Sequence, residues 1–383
     1  MKRIAIFLDG TWNQGDDNTN VWRTHAILAE EGADGCKQLA RYDIGVNGFF
    51  GGTFGKGLVD NVLEAYEWLI SKHDDGDEIF IFGFSRGAYT ARSLAGLIAK
   101  YGLLKPGSPI STRQILARYQ RPEEETIWNL LDADAEEERL SQRLEISTEE
   151  SLLKKYSKRV PIKMVGVWDT VGALGLPFFG IEGVSRSTLN WLHTGLRRSI
   201  EHGFHALAID EHRKSFAPTL WSARQGIMAA PRSLSSVEQR WFAGAHGNVG
   251  GGYELDFLAQ PPLRWILQKA SSLGLCFRFQ VELDGDIFAA NVTDSYRPFM
   301  KGTYRKFVKR FHRVIGAQPY KDGAGNVHTT INETIDETVF ERWRSRDDYR
   351  PVSLQRWAEL YKVEIAETIG TVAIDGTPLL ESK

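Results

Sequence analysis

Ser85 is the residue in this 383-residue chain whose surroundings point most directly to chemistry. It is the central residue of a G-x-S-x-G motif at 83–87, which follows an apolar run at 79–82 and precedes a helical pattern that begins at Ala88. Strand, motif and helix in that order predict a nucleophile elbow, a strained turn that lifts the serine hydroxyl above the sheet. The two flanking glycines are expected because side chains at those positions would crowd the turn.

A serine hydroxyl becomes a strong nucleophile only when a base accepts its proton and an acid orients that base. Two further predicted strands end beside residues of these types: the apolar run at 160–168 precedes Asp169, and the run at 240–245 precedes His246. Functional groups in open α/β sheets gather at the carboxyl ends of the strands, so Ser85, Asp169 and His246 are expected to meet there. Their order along the chain, Ser then Asp then His, is that of α/β-hydrolases.

Other residues could fill the acid and base roles. Asp43 and Asp210 are alternative acids, and His212 is an alternative base. Asp210 and His212 both lie in a segment, 199–213, whose pattern predicts a helix. A helical histidine beside a glutamate and an arginine is more typical of a structural ion-pair network, and an aspartate after a strand can also cap a turn. The motifs alone leave these alternatives open.

Stabilising the oxyanion of an acyl-transfer reaction requires two backbone N–H groups. One is expected from Arg86, directly after the serine, and the other from Gly10 or Thr11 in the loop after the first predicted strand, 3–8. Asp9 is expected to hold that loop by accepting hydrogen bonds. As an alternative, Asp9 could begin a phosphatase-like nucleophile loop, although the lysine and the metal-binding acidic pair of such enzymes are not evident.

Histidines and cysteines do not form a recognisable metal site in the sequence. His202 and His205 are three residues apart and would share a face of the predicted helix, but no acidic or cysteine partner follows at a familiar spacing. Cys36 and Cys276 are the only cysteines, which favours a reducing compartment. We therefore predict neither a metal ion nor another cofactor.

The composition is that of a globular protein, with 42% hydrophobic and 25% charged residues. The formal net charge of −2 offers no electrostatic basis for nucleic-acid binding. No apolar run approaches the ~20 residues of a membrane span. The short apolar stretch at the N-terminus is interrupted by Asp9, so it predicts a strand rather than a secretory signal. We predict a cytoplasmic protein, and export by a leaderless route stays open.

The first half of the chain alternates strand-like and helix-like segments. Before the serine motif, strands are predicted at 3–8 and 38–44, and helices at 21–30 and 58–73. This alternation is typical of a mostly parallel sheet flanked by helices, here an α/β-hydrolase-like fold. A glycine- and phenylalanine-rich segment at 45–57 is expected to be a mobile loop, either over a pocket or as a surface linker.

A charged, glycine-poor segment at 108–158 interrupts this alternation. It predicts a helical insertion, either a cap over the site or a solvated extension. Later patterns predict loops at 174–191 and 247–253, helices at 262–273 and 332–343, a half-exposed strand at 307–314, and a hairpin formed by 361–367 and 370–374. Without repeats or a clean linker, we predict one decorated domain over 1–383.

Five stretches resemble the signature blocks of a known family: LDGTWN at 8–13, GFSRGAYTAR at 83–92, VWDTVGALG at 167–175, ALAIDEHR at 206–213 and WFAGAHGNVGGGY at 241–253. They are similar to DUF2235-type α/β-hydrolase-like domains, a bacterial and fungal family formerly of unknown function that includes antibacterial phospholipase effectors of type VI secretion. The resemblance implies a serine esterase with its triad at Ser85, Asp169 and His246, and phospholipid acyl esters as the substrate class. One departure is Asn248, where the family often has an aspartate.

The predicted function is therefore that of a serine ester hydrolase acting on carboxylic esters, phospholipids and other acyl lipids among them. Its expected partners are a small-molecule or lipid ester substrate and, transiently, a membrane surface; protein partners are left open. Two alternatives use the same fold. One is a catalytically silent binding module, and the other is an acyltransferase with the same three residues in a drier pocket.

Overall fold

The structure is a computed structural model that describes residues 1–10, 17–45, 51–121, 126–141, 145–172, 196–224, 231–254, 256–283, 287–316, 319–321 and 327–379. The strands are β1 (Arg3–Leu8), β2 (Gln38–Asp43), β3 (Glu78–Phe84), β4 (Leu103–Leu104), β5 (Ser157–Lys158), β6 (Ile162–Trp168), β7 (Ile200–Ala208), β8 (Ser222–Arg224), β9 (Val237–Phe242), β10 (Tyr320–Lys321), β11 (Val327–Thr330), β12 (Glu333–Ile335) and β13 (Val372–Ala373). The α-helices are α1 (Asn20–Ala26), α2 (Gly51–Lys72), α3 (Ser85–Tyr101), α4 (Thr112–Tyr119), α5 (Ile127–Leu130), α6 (Ala133–Ser141), α7 (Thr148–Tyr156), α8 (His246–Gly250), α9 (Gln260–Ser272), α10 (Glu337–Ser345) and α11 (Val352–Tyr361). Short 3₁₀ helices cover Lys214–Phe216, Phe257–Ala259, Phe299–Gly302, Tyr304–Lys306 and Ile365–Glu367.

The central element is a sheet whose strands, within the described residues, follow the order β13-β12-β9-β7-β6-β3-β1-β2. All neighbouring strands run parallel except β12 and β13. The connections from β1 to β2 and from β2 to β3 contain α1 and α2, and α3 follows β3 directly. The prediction of a mostly parallel sheet flanked by helices is therefore confirmed, and the fold is α/β-hydrolase-like.

Both faces of the sheet are buried. In β1, Ile4 and Ile6 pack in a core shared with α2 and α3, whereas Ala5 and Phe7 pack in a core shared with α1 and α9. Every residue of β1 is buried, which explains the nearly continuous apolar run that parallel strands show. A third core joins the later strands to α10 and α11.

The described residues of 108–158 pack on the α2–α3 side of the sheet. Ile115 and Tyr119 of α4 belong to the same core as α2 and α3. Arg118 is 1% exposed and binds Glu149 and Glu150 of α7, at 3.0 and 3.2 Å. These contacts make the described part of the segment a further helical layer against the flank of the sheet.

The predicted helix at 199–213 is wrong, because this segment contains β7 between β6 and β9 in the middle of the sheet. The spacing of His202 and His205 suggested a helical face, but the apolar residues around them are those of a strand covered on both sides. Successive residues of a strand point to opposite faces. His202 and His205 therefore lie on opposite faces of β7 and do not share one site.

Several predictions in the second half of the chain also need correction. Residues 307–314 do not form a strand, the hairpin at 361–367 and 370–374 is replaced by a 3₁₀ helix and by β13 paired with β12, and 332–343 contains β12 before α10. Short strands such as β12 exist because a neighbouring strand pairs with them, which local pattern does not reveal. Two predicted loops are also partly helical: α8 occupies part of 247–253, and α2 begins within 45–57, at Gly51. The predicted loop at 174–191 lies outside the described residues.

Candidate active site

The turn between β3 and α3 carries Ser85 in a strained conformation. Phe84 is extended, with φ −125° and ψ 142°, and Ser85 follows with a φ of +56°. A non-glycine residue in the left-handed region costs about 1–2 kcal/mol, so the surrounding fold must hold it there. This geometry is that of a nucleophile elbow.

The two glycines of the motif are required by different neighbours. A Cβ atom on Gly83 would lie 2.7 Å from the Ala88 Cα and from the Gly87 carbonyl oxygen, within the turn itself. A Cβ atom on Gly87 would lie 2.2 Å from the carbonyl oxygen of Leu8 and 2.3 Å from that of Asp9. Crowding within the turn therefore accounts for Gly83, whereas Gly87 is needed because the end of β1 approaches the start of α3.

The Gly87→Ala variant is expected to lose about 1–3 kcal/mol of stability, because the added methyl group meets rigid backbone rather than an adaptable side chain. Gly172→Ala is the matched control, since the nearest atom to a Cβ there is the Thr219 Oγ1 at 3.7 Å. Urea or thermal unfolding of both variants measures the difference. Equal stability of the two variants would contradict the required approach of β1 to α3.

The structure brings the three predicted residues into one hydrogen-bonded chain. The Nε2 atom of His246 lies 2.8 Å from the Ser85 Oγ, and its Nδ1 atom lies 2.5 Å from the Asp169 Oδ2. Asp169 directly follows β6 and is fully buried, while Ser85 is 7% exposed and His246 is 6% exposed. In this arrangement the serine hydroxyl donates to Nε2, and the Nδ1–H group donates to the carboxylate.

A buried arginine, absent from the sequence-based site, also binds Asp169. Arg313 is 1% exposed, and its two terminal nitrogens lie 2.5 and 2.9 Å from the two carboxylate oxygens. The same guanidinium group donates to the carbonyl oxygens of Ala208 and Phe216, at 2.7 and 2.6 Å. The Ala208 N–H group donates to Asp169 as well, at 3.0 Å.

These contacts determine the charge of Asp169. Burial by itself would raise the pKa of this carboxyl group, but the charge of Arg313 and the hydrogen bond from His246 hold the pKa well below its usual range. Arg313 and Asp169 are 144 residues apart, and the segment around Arg313 shows only a mixture of basic and apolar residues. No local signal could have assigned the arginine to the site.

The imidazole of His246 is enclosed by two aromatic rings. The ring centroids of Phe84 and Phe216 lie 4.7 and 5.0 Å from its own. Burial lowers the pKa of His246, and the hydrogen bond to Asp169 opposes that effect. The result is an imidazole that is neutral at neutral pH and able to accept a proton.

Glu211 supports the backbone of His246. It is fully buried and accepts a hydrogen bond from the His246 N–H group at 3.3 Å and from the Ser295 hydroxyl at 2.9 Å. The side chain of Arg213 pairs with both of its oxygens at 2.8 Å. Burial would raise the pKa of Glu211, but Arg213 outweighs it and lowers the pKa to about 2.

His205 is a structural residue beneath the site. Its Nε2 atom accepts a hydrogen bond from the Thr170 N–H group at 3.0 Å, and its Nδ1 atom lies 3.4 Å from the Gln239 side-chain oxygen. Burial lowers the pKa of His205 to about 3, so the ring is neutral. It thereby holds the residue that follows Asp169.

The alternative acids have other partners. Asp210 accepts hydrogen bonds from the Gly244 N–H group at 2.8 Å and from the Tyr349 hydroxyl at 3.1 Å. Asp43 forms a two-point pair with Arg41 at 2.9 Å. Asp210 therefore holds the chain just before α8, and Asp43 belongs to a pair within β2.

His212, the alternative base, also has other partners. The Nδ1 atom of His212 lies 2.9 Å from the Phe311 carbonyl oxygen, and its ring packs against that of His312. Across the described ranges, no three or more His, Cys, Asp or Glu residues are grouped so that they could hold a metal ion.

Asp9 ties down the loop after β1. Its carboxylate accepts hydrogen bonds from the Thr19 hydroxyl at 2.6 Å, the Tyr42 hydroxyl at 2.8 Å and the Gly10 N–H group at 2.7 Å. Burial raises its pKa. These three donors occupy the carboxylate, which suits the structural role predicted for it rather than that of an attacking nucleophile.

The predicted oxyanion donors have different outcomes. The N–H group of Gly10 already donates to the Asp9 side chain, which contradicts its assignment as an oxyanion donor in this arrangement. Thr11 lies outside the described residues. Arg86 directly follows Ser85 in the first turn of α3, where helix N–H groups point toward the site, and its role stays a prediction.

Asn248 connects the histidine-bearing helix α8 to a later segment. Its side-chain oxygen accepts hydrogen bonds from the N–H groups of Ala245 at 3.1 Å and Thr293 at 3.0 Å, and its Nδ2 atom donates to the Thr293 hydroxyl at 3.2 Å. An aspartate here could accept but not donate. The asparagine therefore replaces the residue often found in the family without leaving the histidine unsupported.

A family model described as T6SS, phospholipase effector Tle1-like, catalytic domain matches residues 2–269. The chain belongs to this family. Ser85, Asp169 and His246 all lie within the matched part of the Tle1-like domain, whereas Arg313 lies beyond it. At the level of the family, the match supports hydrolysis of lipid esters.

Other similar proteins are more distant or cover less of the chain. An uncharacterised protein of Saccharomyces cerevisiae, YEL023C, is 27% identical over 237 residues, which are 56% of this chain and 32% of that protein. A structure of the Tle1 effector bound to the VgrG spike of the type 6 secretion system is 19% identical, covering 66% of this chain and 51% of that one, with a TM-score of 0.36. A crystal structure of an uncharacterised Pseudomonas aeruginosa protein is 18% identical, covering 72% and 46%, with a TM-score of 0.43. This Tle1-like chain thus spans about a third to a half of their lengths, and the two TM-scores are too low to add to the fold assignment.

Among the described residues, no helix is both long and apolar enough to span a membrane.

Proposed function

We propose that this chain is a serine ester hydrolase that cleaves acyl esters of phospholipids. The observation that carries the proposal is the contact of 2.8 Å between the His246 Nε2 and the Ser85 Oγ, at an elbow where Ser85 has a φ of +56°. A histidine within hydrogen-bond reach of a strained serine, itself oriented by a buried carboxylate, is the arrangement that activates a serine nucleophile. The lipid substrate class rests on membership of the Tle1-like family.

In the proposed reaction, Ser85 Oγ attacks the ester carbonyl carbon while His246 Nε2 accepts the serine proton. Asp169 keeps the imidazole oriented and stabilises its cationic form. The tetrahedral intermediate then collapses, the carbon–oxygen bond breaks, and His246 returns the proton to the departing alcohol. Water attacks the acyl-enzyme with His246 again as base, which releases the fatty acid and regenerates Ser85.

The negative charge that develops on the carbonyl oxygen of the substrate must be stabilised by hydrogen-bond donors near the elbow. The N–H group of Arg86 and the N-terminal dipole of the 17-residue helix α3 are suitably placed in the chain to supply them. Burial lowers the pKa of the Arg86 side chain to about 10, so the guanidinium group still carries its charge at neutral pH.

The Ser85→Ala variant tests the nucleophile directly. Wild-type protein is expected to react covalently with a fluorophosphonate probe and Ser85→Ala is not, because the probe requires an activated serine oxygen. Ser93→Ala is the matched control: Ser93 is fully buried in the same helix and bonds to the Tyr89 carbonyl, so its loss should leave labelling unchanged. Absence of labelling on well-folded wild-type protein would favour a silent binding module instead.

Product analysis with defined phospholipids distinguishes hydrolysis from acyl transfer. A hydrolase releases one free fatty acid for each ester bond cleaved, whereas an acyltransferase would convert an added alcohol acceptor into a new ester. Predominant transfer to the acceptor in dilute aqueous buffer would overturn the hydrolase assignment while leaving the nucleophile assignment intact.

A further inference from the structure

The segment 297–310 is strongly basic in a chain whose formal net charge is −2. It contains six cationic residues and no aspartate or glutamate: Arg297, Lys301, Arg305, Lys306, Lys309 and Arg310. The nearest acidic residue before it is Asp294, which lies 3.3 Å from both Arg297 and Arg310. One carboxylate cannot balance this many cations, so the segment, here called the basic segment, is a patch of positive potential.

The charged side chains of the basic segment face solvent together with apolar groups. Lys306 and Lys309 are exposed, and the side chain of Arg297 is 72% exposed. Phe307, between the two lysines, is 72% exposed, and Val314 a few residues later is 54% exposed. Exposed cations and exposed apolar side chains therefore occur together within one short stretch of the chain.

The inner side of the same segment is fixed to the protein. Tyr304 is fully buried, and its hydroxyl accepts a hydrogen bond from the Ser215 N–H group at 3.2 Å. The Tyr296 hydroxyl donates to the Val308 carbonyl at 2.7 Å. These contacts, one on either side of Phe307 in the chain, hold the exposed residues in a defined position.

The basic segment lies beside the proposed catalytic residues. Phe299 packs against Phe216 with ring centroids 5.6 Å apart, and Phe216 packs against His246 at 5.0 Å. Three residues after the segment, Arg313 binds Asp169. The exposed cations and Phe307 are therefore continuous with the structure that supports the histidine and its acid.

We propose that the basic segment is a docking surface for bilayers rich in anionic phospholipids, and that it delivers their acyl esters to Ser85. This inference rests on the proposed function for the nature of the delivered substrate. Lysine and arginine near an anionic membrane each gain attraction from its negative surface potential, while an exposed phenylalanine enters the interface. The combination of cations with Phe307 and Val314 favours a bilayer over a nucleic acid or an acidic protein, because an anionic bilayer presents its negative charge directly above a continuous apolar layer.

The parent protein for the test is the full chain with Ser85→Ala, because loss of the proposed nucleophile keeps the vesicle lipids from being hydrolysed. It is compared with a variant that carries Lys306→Glu and Lys309→Glu in addition to Ser85→Ala. The control pair is Lys37→Glu and Lys72→Glu, two exposed lysines that precede β2 and end α2, near the amino ends of the strands. Sedimentation with vesicles of phosphatidylcholine, with and without phosphatidylglycerol, measures binding. We expect the protein to bind only the anionic vesicles, and the binding should weaken as salt is added. The Lys306→Glu and Lys309→Glu changes should lower the binding affinity at least about tenfold. The control pair should leave the binding affinity unchanged.

Activity provides a second readout. In the wild-type Ser85 background, the ratio of phospholipid hydrolysis in anionic vesicles to hydrolysis of a soluble short-chain ester is expected to fall about tenfold with the same two changes. Equal binding of the variant and the parent to anionic vesicles, or binding to heparin or DNA without binding to vesicles, would overturn the docking surface. If wild-type protein hydrolyses no ester yet the Ser85→Ala chain still binds anionic vesicles through these lysines, the proposed function fails and the docking surface stands.

Discussion

The His246→Ala variant is expected to hydrolyse a soluble ester about 10⁴- to 10⁶-fold more slowly than the wild-type protein, because Ser85 then has no base to accept its proton. The matched control is His212→Ala. His212 contacts the Phe311 carbonyl and the ring of His312, so its loss should leave kcat within a few-fold of wild type. Steady-state kinetics with both variants measures the contrast.

The same pair of variants decides between the two candidate bases. Loss of activity in His212→Ala together with retention in His246→Ala would reverse the assignment. Asp169→Asn extends the test, because an amide cannot hold the imidazole in the tautomer that leaves Nε2 free to accept the serine proton; we expect a loss of about 10⁴-fold in kcat. Asp210→Asn, by comparison, should act on stability through the chain before α8 rather than on kcat.

Replacing Arg313 is expected to change the stability, the rate and the pH profile of the enzyme together. Arg313→Met leaves Asp169 as a fully buried carboxylate without its cationic partner, which should cost about 3–5 kcal/mol of stability. Arg313→Lys keeps the positive charge but loses the two-point contact with the carboxylate. This variant should therefore stay folded while Asp169 is misplaced, so its activity can be assayed. We expect its kcat to fall on the order of 10²-fold, because the carboxylate of Asp169 shifts and no longer orients the imidazole of His246 correctly.

The direction of the pH effect follows from the charges around His246. Burial and Arg213 lower the pKa of His246, whereas Asp169 and Glu211 act to raise it, and Arg313 partly neutralises Asp169. Weakening the Arg313 pair leaves more of the Asp169 charge to act on the imidazole, so the pKa of His246 rises. In the proposed reaction the neutral imidazole is the base, so the acidic limb of the kcat/KM profile should move to higher pH.

The stability of the fold should also depend on pH through the ionisation of Asp169. In the wild-type protein the pKa of Asp169 is held below its unfolded value, so this carboxylate stabilises the fold above the unfolded pKa, and the stabilisation is lost as the pH falls. The stability difference between wild type and Arg313→Met should accordingly be largest near neutral pH and shrink in acid. Urea unfolding across pH measures it.

Arg118→Lys is the matched control for Arg313→Lys. Arg118 is also a buried arginine paired with carboxylates, but it lies in the helical layer on the α2–α3 side. Its replacement should leave the pH profile unchanged. An unchanged profile and rate in Arg313→Lys, equal to those of this control, would show that Arg313 has no positioning role.

Local sequence determined the positions of the three residues that the structure brings together. The strands before Ser85 and Asp169 are buried on both faces, so their apolar runs are long enough to recognise. The strand before His246, β9, is equally buried but contains Glu238, Gln239 and Arg240, and it ends at Phe242, so the run predicted at 240–245 located it only in part. In such a sheet a polar residue directly after a strand lies at the edge where functional groups collect. The G-x-S-x-G motif adds a conformational signal, since Gly83 is required by crowding within five residues.

The tertiary structure decided which of the candidate partners meet. Asp43, Asp169 and Asp210 all follow or end strands, and only the order and register of β2, β6 and β7 in the sheet put Asp169 against His246. Register between strands depends on contacts between residues far apart in the chain, which no local pattern records.

The remaining differences have the same physical origin. Gly10 was predicted as an oxyanion donor from its place after β1, but its N–H group donates to the carboxylate of the adjacent Asp9, which Thr19 and Tyr42 hold in place from other segments. The pattern of 199–213 predicted a helix, whereas the segment contains β7, which pairs with β6 and β9. Arg313 reaches Asp169 across 144 residues, from a segment whose own pattern predicted a strand. The sequence thus determined which residues lie at the ends of the buried strands, because the apolar pattern of a buried strand and the strain of a tight turn are local properties. The tertiary structure decided the charges and partners of those residues, because both depend on contacts between distant segments.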